Sequence, residues 1–414
     1  MVRPIVESFV MAHGTVVFTS IAANYLPKAR VLAQSVKKVA PDAHFYLMLV
    51  DEPPTDFQLE AEPFDAVISL ADLMLDNLQG WVFSHSIVEL CTAVKGPAAQ
   101  YCLARSDCDR VIYFDPDMVV FDRFAELEQA LTSASIVLTP HQSEPEADHE
   151  AVMDNEMASL KHGVFNMGFF GIAATSEGLR FADWWSERLK HFCLDDIERG
   201  LFTDQKWANL IPCFFDDYRV LRSPAFNVAT WNITTRRVEG TLEAGVTVNG
   251  EPLGFYHFSG LDSGDQELML NKYGAQSDTL RALRDWYLTA CEAAGQSNVA
   301  IRRYQHGFYE SGESITLAAR RLYRARIDLQ RAFPDPFSIH PQGGYSAWYR
   351  VNIGESDPVV STLSLTETTL TRLAIHQFSQ WLRQRALLHD SYSLKRFCLM
   401  VLVYILRLFT GSIR

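Results

Sequence analysis

The chain has 414 residues, 48% of them hydrophobic and 12% aromatic, enough to bury a large core in one α/β domain with an appendage or in two ordinary domains. A formal net charge of −13 argues against a general nucleic-acid binder. The charge is uneven, with 15 Lys and Arg against 8 Asp and Glu from Ile301 to Arg414 and 22 against 42 before it, so an acidic body carries a basic tail region.

From the N-terminus, MVRPIVESFVMAHG lacks the long apolar core of a signal peptide, and seven cysteines without a CxxC pair point to a reducing compartment. Both features suit a cytoplasmic protein. The β-type run TVVFTS (Thr15 to Ser20) precedes a helical pattern in NYLPKARVLAQSVKKVAP, and HFYLMLVD (His44 to Asp51) reads as a second buried strand. Strand, helix, strand in so short a span is the rhythm of a parallel sheet. FDAVISL is expected as a third strand, and Ser86 to Ala104 as helix.

VIYFDPDMVVF (Val111 to Phe121) comes next. Its flanks read as a strand buried on both faces, and Pro116 between two acids takes the chain out of the ladder at a strand end, where open α/β sheets bind ligands. Asp115 and Asp117 held that close repel each other, which a divalent cation would offset; a turn or helix-cap pair is the plainer alternative.

Further strands are expected in ASIVLTPH (Ala134 to His141) and VFNMGFFGIA (Val164 to Ala173), the latter with a central glycine where another group can approach closely. The acidic stretch between them reads as a lid or acceptor loop, or as a solvated helix and loop. FADWWSERLKHFCL is an amphipathic helix whose Trp184 and Trp185 suit a core better than a sugar platform. LFTDQKWANLIP enters a short helix, YRVLRS and the region around AFNVATWNIT look strand-like, and Asn249-Gly250 signals a hairpin before FYHFSG. From about Thr279 the pattern is helical and arginine-rich. Domains are accordingly expected over 1–278 and 279–414. No Gly-rich phosphate loop of the GxxxxGK or GxGxxG kind is present, which argues against kinases, P-loop enzymes and dinucleotide oxidoreductases.

In order, TSIAANYLPKARVLAQSV, VIYFDPDMVV, FNMGFFGI, LFTDQKWAN and FYHFSG resemble the successive motifs of the GT-A glycosyltransferases, and within them family 8, over about Thr15 to Gly260. The resemblance implies a Rossmann-like α/β fold, a mixed and mostly parallel sheet flanked by helices, here with a helical C-terminal extension. It implies transfer of a sugar from a nucleotide-diphosphate donor, expected to be a UDP-sugar, to a glycan or lipid-linked glycan in bacterial surface polysaccharide assembly. A divalent cation, Mn2+ or Mg2+, would be held by Asp115, Asp117 and His257; a lone histidine between Tyr256 and Phe258 also reads as an ordinary core residue.

Thr19, Ala22, Asn24 and Tyr25 are expected to line the base and ribose pocket, with Lys95, Asp115 and Asn166 completing the donor site. Asp204, Gln205 and Asn209 are expected at the sugar's reacting face, which favours retention; an inverting enzyme would take its base from Asp148, Asp154 or Glu156. The family's lysine-proline-tryptophan after HxxG is absent, since LDSGDQELMLNKY follows Gly260. Lys272, Lys95 or Arg110 could replace that lysine, although each reads first as a surface cation. A non-catalytic sugar-nucleotide or glycan-binding protein is the competing reading, and a nucleotidyltransferase is disfavoured by the lack of a Gly-rich first loop. Finally, the apolar run in SLKRFCLMVLVYILRLFTGSIR is too short to span a bilayer, and a basic helix over 394–410 could lie at the inner membrane surface or dock on protein.

Overall fold

The computed structural model describes residues 14–299, 303–339 and 343–353. The proposed interfacial helix over 394–410 and the N-terminal segment lie outside these residues. The chain separates into two compact units, Met1–Ser346 and Ala347–Arg414, and the first of them contains the sheet and the helices that flank it.

Thr15–Ile21 (β1) is buried along its whole length, as its unbroken apolar run requires. It leads through a single 3₁₀ turn into Leu26–Val39 (α1), where Pro27 sits in the first turn, the place at which a missing N–H costs nothing. His44–Leu49 (β2) and Ala66–Ser69 (β3) follow, both parallel to their neighbours. Next come the helices Leu78–Phe83 (α2), Ile87–Ala93 (α3) and Lys95–Leu103 (α4). The single helix expected from Ser86 to Ala104 is thus two, meeting at Val94. Ser86 caps the first reciprocally with Glu89, and Gly96 lets α4 approach the backbone of Ser186, where a Cβ would stand 2.7 Å from Cα.

Arg110–Phe114 (β4), Met118–Val120 (β5), Phe124–Ser133 (α5), Ile136–Pro140 (β6) and Phe165–Ala173 (β7) complete the central part. Seven strands form the main sheet in the order Tyr218–Val220, β6, β7, β4, β1, β2, β3. β7 runs antiparallel to both its neighbours and all other pairs are parallel, so the sheet is mixed and mostly parallel, with helices on its faces. One face packs Leu32, Phe114, Phe169 and Leu127 into a continuous core. The other packs aromatics in series, Phe18 edge-on to Tyr113, Tyr113 stacked on Phe170 and Phe170 edge-on to Trp185, with centroids 4.9, 5.0 and 4.9 Å apart. Trp185 is fully buried, as expected of a core residue.

Two strand readings are corrected. The region around AFNVATWNIT is turn and loop, contributing one isolated bridge between Val228 and Tyr256, because Asn227 adopts φ 53° and breaks the extended run. The run Val111 to Phe121 is two strands in two different sheets. Asp115 to Met118 is a tight turn closed by Met118 N–H donating to Asp115 O at 3.0 Å, with Pro116 at its second position. That turn lifts the chain out of the main sheet, and β5 pairs antiparallel with Phe255–His257, His257 opposite Met118. The Asn249-Gly250 hairpin forms as expected, with φ 51° and 87°.

Beyond the sheet, 303–339 packs against α2 and α3. Arg320, buried, donates to the carbonyls of Phe83 and His85 at 2.8 Å each, and Tyr309, Tyr323 and Phe337 surround the ring of Phe83. No helix of the described residues is long and apolar enough to cross a membrane.

Candidate active site

Where β4 ends, two chambers meet at the acidic pair. One, a cavity of about 310 Å³, is mostly apolar and runs between Ala22, Asn24 and Tyr25 on one side and Ile87, Val88 and Cys91 on the other. The second, about 540 Å³, is the more polar of the two, the polar chamber, and is lined by His141, Asn166, Asp204, Gln205, Trp231 and His257 among others. Both share Lys95, Asp115 and Asp117.

The turn at Pro116 and the ladder between β5 and Phe255–His257 decide the geometry of that shared floor. One ligand atom each from Asp115, Asp117 and His257 lies within 4.8 Å of the others, and His257 Nε2 is 3.0 Å from Asp117 Oδ1. Burial opposes ionisation of Asp117, but the imidazole beside it outweighs burial and holds the carboxyl below its usual range. The same pairing, against the same burial, raises His257. Two carboxylate oxygens and an imidazole nitrogen converging there fit a divalent cation.

Asp115 is held from three directions. Its N–H donates to Gly168 O at 2.7 Å, and its Oδ1 accepts from Tyr113 at 2.7 Å and pairs with Lys95 at 3.1 Å. Its Oδ2 lies where a side chain at 168 would stand, since a Cβ there would be 2.7 Å away. The glycine read from the sequence as a close-approach position is therefore the space into which Asp115 fits. Lys95 is 2% exposed, which corrects its reading as a surface cation. It bridges Asp115 and Asp204, the latter at 2.9 Å. Burial would lower its pKa, but the two carboxylates outweigh burial and hold it protonated. Burial lifts the Asp204 carboxyl, with Lys95 opposing.

Thr203, one residue earlier, carries φ 43°, an unusual conformation for a β-branched residue, and its hydroxyl donates to Asp204 Oδ1 at 3.0 Å. Behind them, Ser20 Oγ donates to Cys91 O at 2.6 Å and stands 3.0 Å from the Tyr113 hydroxyl, so a hydrogen-bonded chain links α3 to the acidic pair.

No family model matches the chain. Two proteins of Bacillus subtilis (strain 168) are similar to it: uncharacterized protein YfnD, 26% identical over 247 residues, and uncharacterized protein YfnF, 23% identical over 254. Each alignment covers 58% of this chain, and 76% and 80% of the two relatives. Among solved structures, galactosyltransferase LgtC in complex with donor and acceptor sugar analogs is similar at 16% identity and a TM-score of 0.39, covering 67% of this chain and 95% of that one.

The expected site residues are distributed unequally. Ala22, Asn24 and Tyr25 line the apolar chamber, but Thr19 points into the core, and its neighbour Ser20 takes the place on the cavity wall. A strand alternates faces, so one residue of register makes that difference. Asn166 lines the polar chamber, its Nδ2 3.0 Å from His141 Nε2, and burial, helped by His257, depresses His141 to about 3. Gln205 lines it too, its amide tied at both ends by Met167 N–H donating to Oε1 and Nε2 donating to His162 O, each at 3.2 Å. Asn209 lies outside both chambers and accepts from Val164 N–H at 3.0 Å, anchoring the chain just before β7.

Of the three candidate bases in the acidic stretch, Asp148 caps a helical turn, Asp154 pairs with Lys272 at 2.7 Å, and Glu156 accepts from Glu146 N–H at 2.7 Å. None lines a chamber. Lys272 is committed to Asp154 and Glu150, and Arg110 begins β4, at the opposite end from Asp115. Tyr113, Ser20 and His141 join the site beyond the residues expected from the sequence; the first lies two residues before Asp115, on the same strand face, which period-2 alternation does signal.

Proposed function

We propose that this protein is a glycosyltransferase of the GT-A type, similar to family 8, that uses Mn2+ or Mg2+ to transfer a sugar from a UDP-sugar to a glycan or lipid-linked glycan. The observation that carries the reading is the convergence of Asp115, Asp117 and His257 at the junction of an apolar and a polar chamber. A nucleotide sugar has that same polarity, a flat base at one end, a hydroxyl-rich sugar at the other and a diphosphate between. The apolar chamber suits the base and ribose, with Tyr25 as a stacking face and Asn24 as a polar contact.

The bound cation supplies neutralisation of the charge that develops on the departing diphosphate. Asp115 and Asp117 would hold it with His257, and Lys95 and Tyr113 fix Asp115 so that little reorganisation is needed on binding. Asp204 and Gln205 face the polar chamber, where the donor sugar would sit, and are assigned to its reacting face; Asn209 is assigned to anchoring the chain around them. We favour retention of anomeric configuration, since the acidic-stretch carboxylates that would serve inversion are engaged away from the chambers. A role in bacterial surface polysaccharide assembly, at the cytoplasmic face of the membrane, is the setting proposed for it.

Incubation with a panel of UDP-sugars and manganese tests the reading. Metal-dependent release of UDP is expected, and binding without release, with or without acceptor, would mark a non-catalytic protein instead. Proton NMR of the first-formed product reads the anomeric coupling, and a configuration opposite to the donor's would overturn retention.

A further inference from the structure

Behind Tyr25, which lines the apolar chamber, Lys28 and Asp262 form an ion pair between residues 234 apart in sequence. Lys28 Nζ is 2.5 Å from Asp262 Oδ2, and the same oxygen accepts from the Tyr25 hydroxyl at 2.5 Å. The ammonium also stands 4.0 Å from the centroid of the Tyr25 ring. The two side chains differ sharply in environment, Lys28 being 4% exposed and Asp262 54%.

Burying an ammonium ion is costly, and this one sits in the first turn of α1, where the helix dipole favours negative charge. α1 supplies no acid in that turn and no side-chain cap. The compensating carboxylate comes from outside, on a loop bounded by Gly260 and Gly264, both in the left-handed region at φ 77° and 81°. Ser259 and Asp265, flanking that loop, line the polar chamber, and Tyr25, which both members of the pair touch, lines the apolar one.

Charge complementarity then points to an occupant. Two acids and a divalent cation leave the floor near neutral, and Lys95 is already shared by Asp115 and Asp204. A donor diphosphate brings further negative charge to this point. Lys28 is a buried cation held by one carboxylate that is itself half in water.

We propose that Lys28, with the Tyr25 hydroxyl, binds the diphosphate of the nucleotide donor, a phosphate oxygen taking the position that Asp262 Oδ2 holds in its absence. The inference deepens the nucleotide-sugar reading and rests on it. The exchange makes and breaks no covalent bond: one anionic oxygen replaces another on the same ammonium and phenol, and Asp262 returns to solvent. Asp262 is thus an internal competitor that keeps the buried lysine compensated until the donor arrives and limits how tightly the diphosphate product is retained.

The test is calorimetric titration of the full chain with UDP and with uridine, in manganese, for wild type, Lys28→Met, Lys28→Arg and Asp262→Asn. Lys28→Met should weaken UDP about 10- to 100-fold, the range for one hydrogen-bonded charge contact, while leaving uridine unchanged, and Lys28→Arg should recover part of the loss. Asp262→Asn removes the competitor and should tighten UDP by about threefold to tenfold; because it alters only an exposed loop side chain, it reports even if Lys28→Met fails to fold. UDP affinity unchanged in Asp262→Asn, or equal losses for UDP and uridine in Lys28→Met, would overturn the assignment alone. A folded wild type that binds no nucleoside diphosphate in manganese would overturn the transferase reading and this assignment with it.

Discussion

Lys95→Met isolates the electrostatics of the site from its ligands. The substitution keeps an unbranched apolar stem as far as Cε and removes the ammonium that stands 3.1 Å from Asp115 Oδ1 and 2.9 Å from Asp204 Oδ2. Removing one partner of a buried pair costs about 3–5 kcal/mol, because the charge left behind has neither water nor counterion. For a unit ending at Ser346 the unfolding entropy near the midpoint is about 0.7 kcal/mol per kelvin, so the cost corresponds to a midpoint lowered by about 4–7 °C.

The deficit has a defined pH dependence. Without Lys95, the Asp204 carboxyl, already raised by burial, rises further. An acid whose pKa is higher folded than unfolded binds protons preferentially in the native state, so the deficit relative to wild type shrinks as pH falls. Thermal unfolding followed by circular dichroism in chelator, at about pH 7.5 and about pH 5.5, measures both effects. Asp204→Asn added to Lys95→Met should recover a large part of the loss at the higher pH. A midpoint within about 1 °C of wild type, or a deficit that grows on acidification, would refute the view that Lys95 neutralises buried Asp204 and half-buried Asp115.

Asp115→Ala and Asp117→Ala should each abolish UDP release from the donor while the circular dichroism spectrum stays native, and His257→Ala should shift the manganese requirement to much higher concentration; full activity of any of the three in chelator would end the metal assignment. Gly168→Ala places a methyl 2.7 Å from Asp115 Oδ2, Asn166 Oδ1 and Met118 Cε, so activity should fall at least about tenfold with a stability loss of about 1–3 kcal/mol, read by turnover and denaturant titration. His85, wholly buried and donating through Nδ1 to Trp81 O at 2.7 Å, is depressed to about 4 by desolvation. Its stabilising contribution is complete above about pH 6.5 and lost as pH falls towards 4, about 3 kcal/mol in all, so His85→Gln should flatten the acid limb of the stability profile.

The packing of 303–339 on α2 and α3 links the arginine-rich part of the chain to the site. Arg320 holds the carbonyls of Phe83 and His85, Arg324 lies 3.4 Å from Glu89, and α3 carries Val88 and Cys91 on the wall of the apolar chamber. Arginine-rich composition thus serves here as a brace, its guanidinium groups satisfying backbone carbonyls at the helix ends.

Much of the site was legible because its signals are local. A buried strand interrupted by Asp-Pro-Asp must turn out of its sheet at the proline, and Gly168 in an otherwise bulky strand had to admit a neighbour. The order of the motifs along the chain likewise carried the α/β architecture, since apolar runs alternating with helical ones build a parallel sheet. The choice of face was less secure: a slip of one residue in β1 exchanges Thr19 for Ser20 at the cavity wall, and nothing within an all-buried strand marks which side opens.

Tertiary structure alone decided which charges meet. Lys95 reads as a surface cation by composition, yet α4 carries it under the floor between acids 20 and 109 residues away. Lys28 finds Asp262 across 234 residues, and His257 reaches Asp117 because β5 leaves one sheet to pair in another. Propensity and periodicity act over a few residues and set which elements form. Burial of an ionised group is permitted only where the assembled fold brings an opposite charge within reach, and that pairing is a property of the packed chain.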